Sequence, residues 1–510
     1  MYLLGLDVGT TGCKAVIFDP AGRILGKGFQ DYPIETDRTG RAEQDAEAVW
    51  EKVKLVIRQA AAGSGRPEEI RAMSLSVQGD AIIPVDGRFR ALRRAVLGMD
   101  YRSAPQAEAC AALLGDRELF SLTGMRPHPL NSLTKILFLR EQEPELFAKT
   151  SRIVTYADFI LGKLGAPPLI DHTMASRTMA FDLKNRVWSD AVLGPLNLDS
   201  TLLSRAVPSG TEAGTVSPAV ADELGLPRSL RLFTGGHDQP CCALGSGIVS
   251  PGTGVVTTGT AEVFSTVSDR PFLSDAVYEG YYPCTLGILP EQYFTFSLNH
   301  VGGLLYRWFK ENFCGEDLPA ARDRETDIYA YLNSRLPEDP TDLLFLPHLN
   351  GSGTPWCDPD SRGAVAGMTL NTTRYDIIKA IMESQSFELA LNLEQLESAG
   401  LAISAIRATG GGARSPEWLQ IKADILNQPI QTLENPESGC LGAAVIAGTG
   451  AGLFSSFREG AEQLVRIREV REPRPAFVEI YREKSLAYRQ LYPALKPVFR
   501  TLNQAGKRIV

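Results

Sequence analysis

Asp7 stands between Leu6 and Val8 in the apolar run MYLLGLDVGTTGCKAVI, where a carboxylate is costly unless it has a task. Directly after it comes the turn Gly9-Thr10-Thr11-Gly12. Consecutive N–H groups in such a turn form a concavity that binds phosphate oxygens. A carboxylate beside it can hold hydrated Mg²⁺, which takes one or two carboxylates plus substrate phosphates. Thr258-Gly259-Thr260 repeats the pattern in the second half of the chain, and Gly410-Gly411-Gly412-Ala413 makes a third glycine turn that runs into Ser415-Pro416-Glu417. Glycines let a flat ligand approach the backbone, and the helix that follows favours anionic groups at its start. Taken singly, each of these is also an ordinary tight turn. Asp238, in Gly235-Gly236-His237-Asp238, is either a helix N-cap or a general base that takes a proton from a hydroxyl attacking a γ-phosphate. His237 needs no part in that scheme.

Other nucleotide fingerprints are missing. Gly22-Arg23-Ile24-Leu25-Gly26-Lys27 is one residue short of the P-loop spacing, and no G-x-G-x-x-G follows a strand. The net charge of −8 over 510 residues argues against a nucleic-acid partner, which needs a basic stripe. No apolar stretch is long enough for a membrane span, and the start reads as lacking a signal peptide. Eight cysteines without a C-x-x-C read as reduced thiols of a cytoplasmic protein, and five scattered histidines argue against a metal cluster. The sequence sets no oligomeric state; a homodimer is compatible with it.

The elements that must position these residues follow from periodicity. Leu3–Asp7, Lys14–Asp19 and Arg23–Tyr32 read as an antiparallel meander, with Asp19-Pro20-Ala21-Gly22 as its second turn. A helix over 46–61, a strand over 70–76, helices over 132–141 and 156–162, and a strand over 231–235 follow. Near residue 250 the strand, Gly/Thr turn, strand pattern restarts. Thr373 to Asp376 is a capping box opening an amphipathic helix to about Ser398, with Ile377, Ile381, Ser384, Phe387 and Leu391 on one face. A strand over 403–409 leads to the third glycine turn. The expected fold is α/β: two duplicated domains, 1–249 and 250–510, divided at Pro251-Gly252 with a cleft between them.

This arrangement resembles the FGGY family of carbohydrate kinases, within the actin-like, ribonuclease H-like (ASKHA) superfamily. Asn131 to Glu141 is similar to the first family signature, with Phe138 where tryptophan is usual. Gly363 to Met368 followed by Asp376 to Glu383 is similar to the second, and Met174 to Asp182 resembles the ASRT segment of glycerol kinases and xylulokinases. The resemblance implies an ATP- and Mg²⁺-dependent kinase of a sugar, ketose or polyol, with a xylulokinase-like ketopentose kinase foremost. Asp7 would organise Mg²⁺; Gly9, Thr10, Thr11 and Lys14 would meet the phosphates. Gly259 and Thr260 would form the second clamp, with Ala261 replacing the usual serine. Gly411, Gly412, Ala413 and Ser415 would line the nucleotide pocket, and Asp238 would be the base. The acceptor would lie against Gln78, Gly79, Asp80, Asp100, Arg102, Asp238 and Gln239. Asp80 stands where relatives carry histidine or glutamate, and Gly79 where they carry a larger side chain. Glycerol, erythritol or another sugar as acceptor, a catalytically silent sugar-binding relative, and a nucleotide-driven scaffold protein remain the alternatives.

Overall fold

A computed structural model describes residues 1–506. Its first sheet grows from a hairpin: β1 (Tyr2–Val8), β2 (Gly12–Phe18) and β3 (Ile24–Asp31) run antiparallel in sequence. Helix α1 (Ala46–Gly63) buries Val49, Val53, Val56 and Ile57 and returns the chain to β4 (Ile70–Val77), parallel to β1. Asp45 caps α1 by accepting from the N–H groups of Glu47 and Ala48. A long excursion includes α2 (Ser132–Gln142) and the short α3 (His172–Arg177). β5 (Glu212–Thr215), β6 (Arg231–Phe233) and β7 (Gly236–His237) then complete a sheet of order β5-β6-β4-β1-β2-β3, with β7 beside β4. Helix α4 (Asp238–Gly245) follows.

The second sheet repeats the plan. β8 (Thr253–Thr258), β9 (Glu262–Ser268), β10 (Thr285–Leu286) and β11 (Tyr293–Asn299) come first, followed by α5 (Gly303–Phe313) and α6 (Arg374–Ser398). β12 (Ala405–Gly410), α7 (Pro416–Leu426), β13 (Ile430–Leu433), α8 (Ser438–Gly450), β14 (Ile467–Arg471) and α9 (Pro475–Gly506) close the chain. The order is β10-β11-β9-β8-β12-β13-β14. β8 pairs antiparallel with β9 and parallel with β12, as β1 does with β2 and β4. The duplication expected from the two Gly/Thr turns is therefore a duplication of strand order.

One difference from the sequence expectations has a physical cause. Helix α6 is capped by Thr373 and Asp376 as expected, but it is buried on all sides from Ile378 to Leu389 rather than along one face. The long α9 covers its outer side: Lys484 pairs with Glu383, and the Tyr488 hydroxyl donates to Glu388 Oε1 at 2.6 Å. Helix α8 lies against the first sheet, where Leu441, Ala444 and Val445 pack on Leu3, Val16 and Phe18. Among the described residues no helix is long and apolar enough to cross a membrane.

Candidate active site

Asp7 sits at the C-terminal end of β1, opposite Ser76 of β4. The Ser76 hydroxyl donates to Asp7 Oδ1 at 2.6 Å, while Oδ2 accepts no hydrogen bond from the described residues. Burial raises its pKa above the usual carboxylate value, against the lowering effect of Ser76 and Lys14. Gly439, in the first turn of α8, faces it, and a Cβ there would lie 3.2 Å from Asp7 Cγ and Oδ1. A half-buried carboxylate with one oxygen accepting no hydrogen bond and cleared space beside it fits a cation. Lys14 pairs across the hairpin with Asp7 in register, but its ammonium is held by Glu437.

The two Gly/Thr turns share one design. Gly9 N–H donates to Gly12 O, and Gly259 N–H to Ala261 O, each at 2.9 Å. In the first turn the carbonyls are tied back: Tyr32 Oη donates to Gly9 O at 2.7 Å, and Gln44 Nε2 to Thr10 O at 3.0 Å. In the second turn the start of α5 does this work. Gly303 N–H donates to Gly259 O and Gly302 N–H to Thr260 O, both at 2.7 Å. With the carbonyls turned into the protein, the N–H groups of Thr10, Thr11 and Thr260 donate to no described acceptor, the state that receives phosphate oxygens. The second turn is one residue shorter, since Thr258 pairs with Glu262 whereas Val8 pairs with Cys13.

Behind the second turn, Glu262 accepts from Thr258 Oγ1 at 2.6 Å and from the buried Lys422 Nζ at 2.8 and 2.9 Å. Lys422 lies on α7, so the second Gly/Thr turn is braced against the helix that starts at Ser415. Gly410, at φ +79°, ends β12; Gly411, Gly412 and Ala413 then form a 3₁₀ turn. Ser415 caps α7, its Oγ accepting from Trp418 N–H at 3.2 Å and from Asn333 Nδ2 at 3.0 Å.

Asp238 opens α4 immediately after β7, whose register places His237 opposite Val77, next to the end of β1. Its carboxylate is 32% exposed, and its pKa is pushed up to about 7. Burial is the main cause, the Asp7 and Asp80 charges add to it, and the Gln239 N–H and Arg177 oppose it. One turn further along α4, the Cys242 thiol lies 3.6 Å from Thr257 Oγ1 of β8, so α4 spans from the first turn's strands to the second's.

Several residues expected from the sequence to meet the acceptor are held by protein partners. His237, given no part there, places Nε2 3.1 Å from Asp238 Oδ1. Burial, then Arg177, holds its pKa well below 6.5, which favours a neutral ring packed beside the carboxylate. Gly79 is what makes room for it: a Cβ at 79 would stand 2.6 Å from His237 Cδ2 and Nε2. Gln78 turns toward the first Gly/Thr turn, donating to Gly9 O at 3.3 Å and Gln44 Oε1 at 3.2 Å. Asp80 is buried, at φ +66°, with Oδ2 2.6 Å from Arg177 Nη2 and Oδ1 unpartnered. Asp100 and Arg102 bond to each other and to the chain around them. Asp100 accepts from Ala42 N–H at 2.9 Å and from Arg102 Nε at 3.0 Å, and Arg102 continues to Glu43, so the pair braces the strand that carries Gln44. Gln239 follows Asp238 on α4, half-buried. Tyr32, Gln44, Arg177 and Lys422 escape sequence reasoning. Only Arg177, inside the ASRT segment, carried a signal.

Comparison with known proteins places this geometry. The chain matches the FGGY family of carbohydrate kinases, N-terminal domain, over residues 2–245, and the C-terminal domain of the same family over 254–451. It is similar to a xylulose kinase of Bacillus subtilis, 27% identical over 507 residues and 99% of each chain. It is also similar to a gluconokinase of the same organism, 28% identical over 461 residues and 89% of each chain. The crystal structure of a xylulose kinase from Brucella ovis superposes with a TM-score of 0.87 at 26% identity, covering 98% of this chain and 100% of that one. The two repeated sheets are thus the duplicated actin-like domains of a sugar kinase, and the chain belongs to the FGGY family of carbohydrate kinases.

Proposed function

We propose that this carbohydrate kinase transfers the γ-phosphate of ATP to a hydroxyl of a ketopentose, a xylulokinase-like reaction carried out in the cytoplasm. One observation supports it above the others: Asp238, at the start of α4, shares the ends of β1, β4 and β7 with the first phosphate turn, and α4 reaches the second. On this reading residues 1–249 hold the acceptor and residues 250–510 hold the nucleotide. Asp238 takes the proton of the attacking hydroxyl, and His237, with Nε2 3.1 Å from Oδ1, packs beside the carboxylate and limits where it can turn. The free N–H groups of Thr10, Thr11 and Thr260 receive the phosphate oxygens, and the turn at Gly411, Gly412 and Ala413 bounds the nucleoside. Asp7 is the residue that would hold Mg²⁺, which supplies charge neutralisation at the β- and γ-phosphates when bound. All eight cysteines are unpaired thiols, in keeping with a cytoplasmic enzyme.

An ADP-release assay over ketopentoses, polyols and an aldonate tests the acceptor. The highest kcat/KM is expected with a ketopentose, and preference for a polyol overturns that choice. Asp238→Ala should keep nucleotide binding and lose about 10²–10⁴ in kcat; near-normal turnover removes it as the base.

A further inference from the structure

The acceptor side holds a cation that is present but masked. Arg177 is buried, its Nη2 is 2.6 Å from Asp80 Oδ2, and its guanidinium lies 5.1 Å from the Phe296 ring of the second sheet. The pair lines the same wall as the base: a Cβ on Gly79 would touch His237 at 2.6 Å and come within 3.8 Å of Arg177 Nε. Three buried polar atoms on this wall have no partner: Asp80 Oδ1, Arg177 Nε and His237 Nδ1. Buried polar atoms left so are costly unless a ligand satisfies them.

The remaining cations nearby are already committed. Lys135 gives its Nζ to the carbonyls of Pro129 and Leu130 and is fully buried. Arg102 belongs to Asp100 and Glu43, and Arg126 pairs with Asp116 at 3.3 Å. The charged groups on this side are therefore the Asp238 carboxylate, with Asp7 at the adjacent turn, and one neutralised arginine. A carboxylate-bearing acceptor would enter that field without a counter-charge, whereas a neutral polyol or ketose can satisfy the three orphan atoms with hydroxyls, which both donate and accept.

From this we infer that Asp80, by occupying Arg177, is the residue that restricts this enzyme to uncharged polyhydroxy acceptors, and that removing its charge opens the site to aldonates. The inference rests on the kinase reading above and deepens it. It matters because xylulose kinases and gluconokinases are similar to this chain to nearly the same degree, and of their named substrates one is a neutral ketose and the other carries a carboxylate.

The test is kcat/KM for xylulose, glycerol and gluconate, measured on the wild type and on Asp80→Asn and Asp80→Ser, each checked by thermal melting. The wild type should use at least one neutral acceptor and discriminate against gluconate. In the variants the ratio of gluconate to xylulose should rise about tenfold or more, and Arg177→Met placed on top of Asp80→Asn should cancel the gain. A wild type that uses gluconate as well as the neutral compounds overturns the inference, and this measurement does not depend on either variant folding. So does a folded Asp80→Asn or Asp80→Ser enzyme whose ratio is unmoved. Absence of turnover with all three acceptors in the wild type, with nucleotide bound, would instead count against the ketopentose or polyol reading on which the inference is built.

Discussion

Asp238 carries two opposed demands. An unfolded chain ionises it near the ordinary value of 3.8, whereas the folded site holds it protonated until about 7. Because the folded pKa is the higher one, the fold is penalised as pH rises from 3.8 through 7, and no penalty exists below 3.8, where both states are protonated. Asp238→Asn is therefore expected to melt higher than the wild type at pH 8, with the gain vanishing at low pH, while activity is lost. The wild-type rate should climb with pH through an acid limb near 7; a limb near pH 4 would show that substrate binding relieves the shift. Gly79 offers a second test. A methyl group there meets the His237 ring at 2.6 Å and should displace it from Asp238. Gly79→Ala is expected to lower kcat about 10-fold or more, since a displacement of about 1 Å at a catalytic contact can cost ~10²-fold. The loss should be no greater in Gly79→Ala/His237→Ala than in His237→Ala alone. A Gly79→Ala enzyme with normal kcat would mean that the ring has room to stay.

At the scale of elements, the second Gly/Thr turn and α7 act as one piece through Glu262 and Lys422, which are both buried. Lys422→Met leaves Glu262 uncompensated and should destabilise the protein by about 3–5 kcal/mol, whereas the double change with Glu262→Gln should recover most of that loss. Denaturation midpoints measure both, and equal midpoints for single and double variants would show that the pair is not coupled. Much of this level is legible in the sequence because its signals are local. The capping box at Thr373 and the Ser415-Pro416 start of α7 lie within one turn of what they cap. The all-round burial of α6 is not legible, because its outer cover, α9, arrives about a hundred residues later, as with Glu383 and Lys484. The site divides in the same way. Asp7, its turn and Asp238 are read from short patterns. Arg177 and Asp80 are 97 residues apart in sequence, and only the fold makes them neighbours.

Across the whole molecule the two halves meet at sites far from the base as well. Arg126, from the excursion of the first half, lies 4.1 Å from both the Tyr278 and Tyr281 rings and donates to Tyr278 O at 3.0 Å. Arg117 reaches Asp275 beside it. Arg126→Ala is expected to cost about 1–2 kcal/mol from the lost cation–π contacts, visible as a lower urea midpoint, and to raise KM for the acceptor more than for the nucleotide. Equal changes in the two constants would argue that this contact does not bear on the first half's pocket. A different consequence follows from α8, which is encoded after residue 437 yet seals the face of the first sheet formed by Leu3, Val16 and Phe18. On the ribosome, the opening hairpin must wait for nearly the whole chain before that face is covered. A nascent chain stalled near residue 250 would display a ready-made apolar surface, a natural target for chaperone holdases. For the same reason the first half, expressed alone, should aggregate unless α8 is supplied with it.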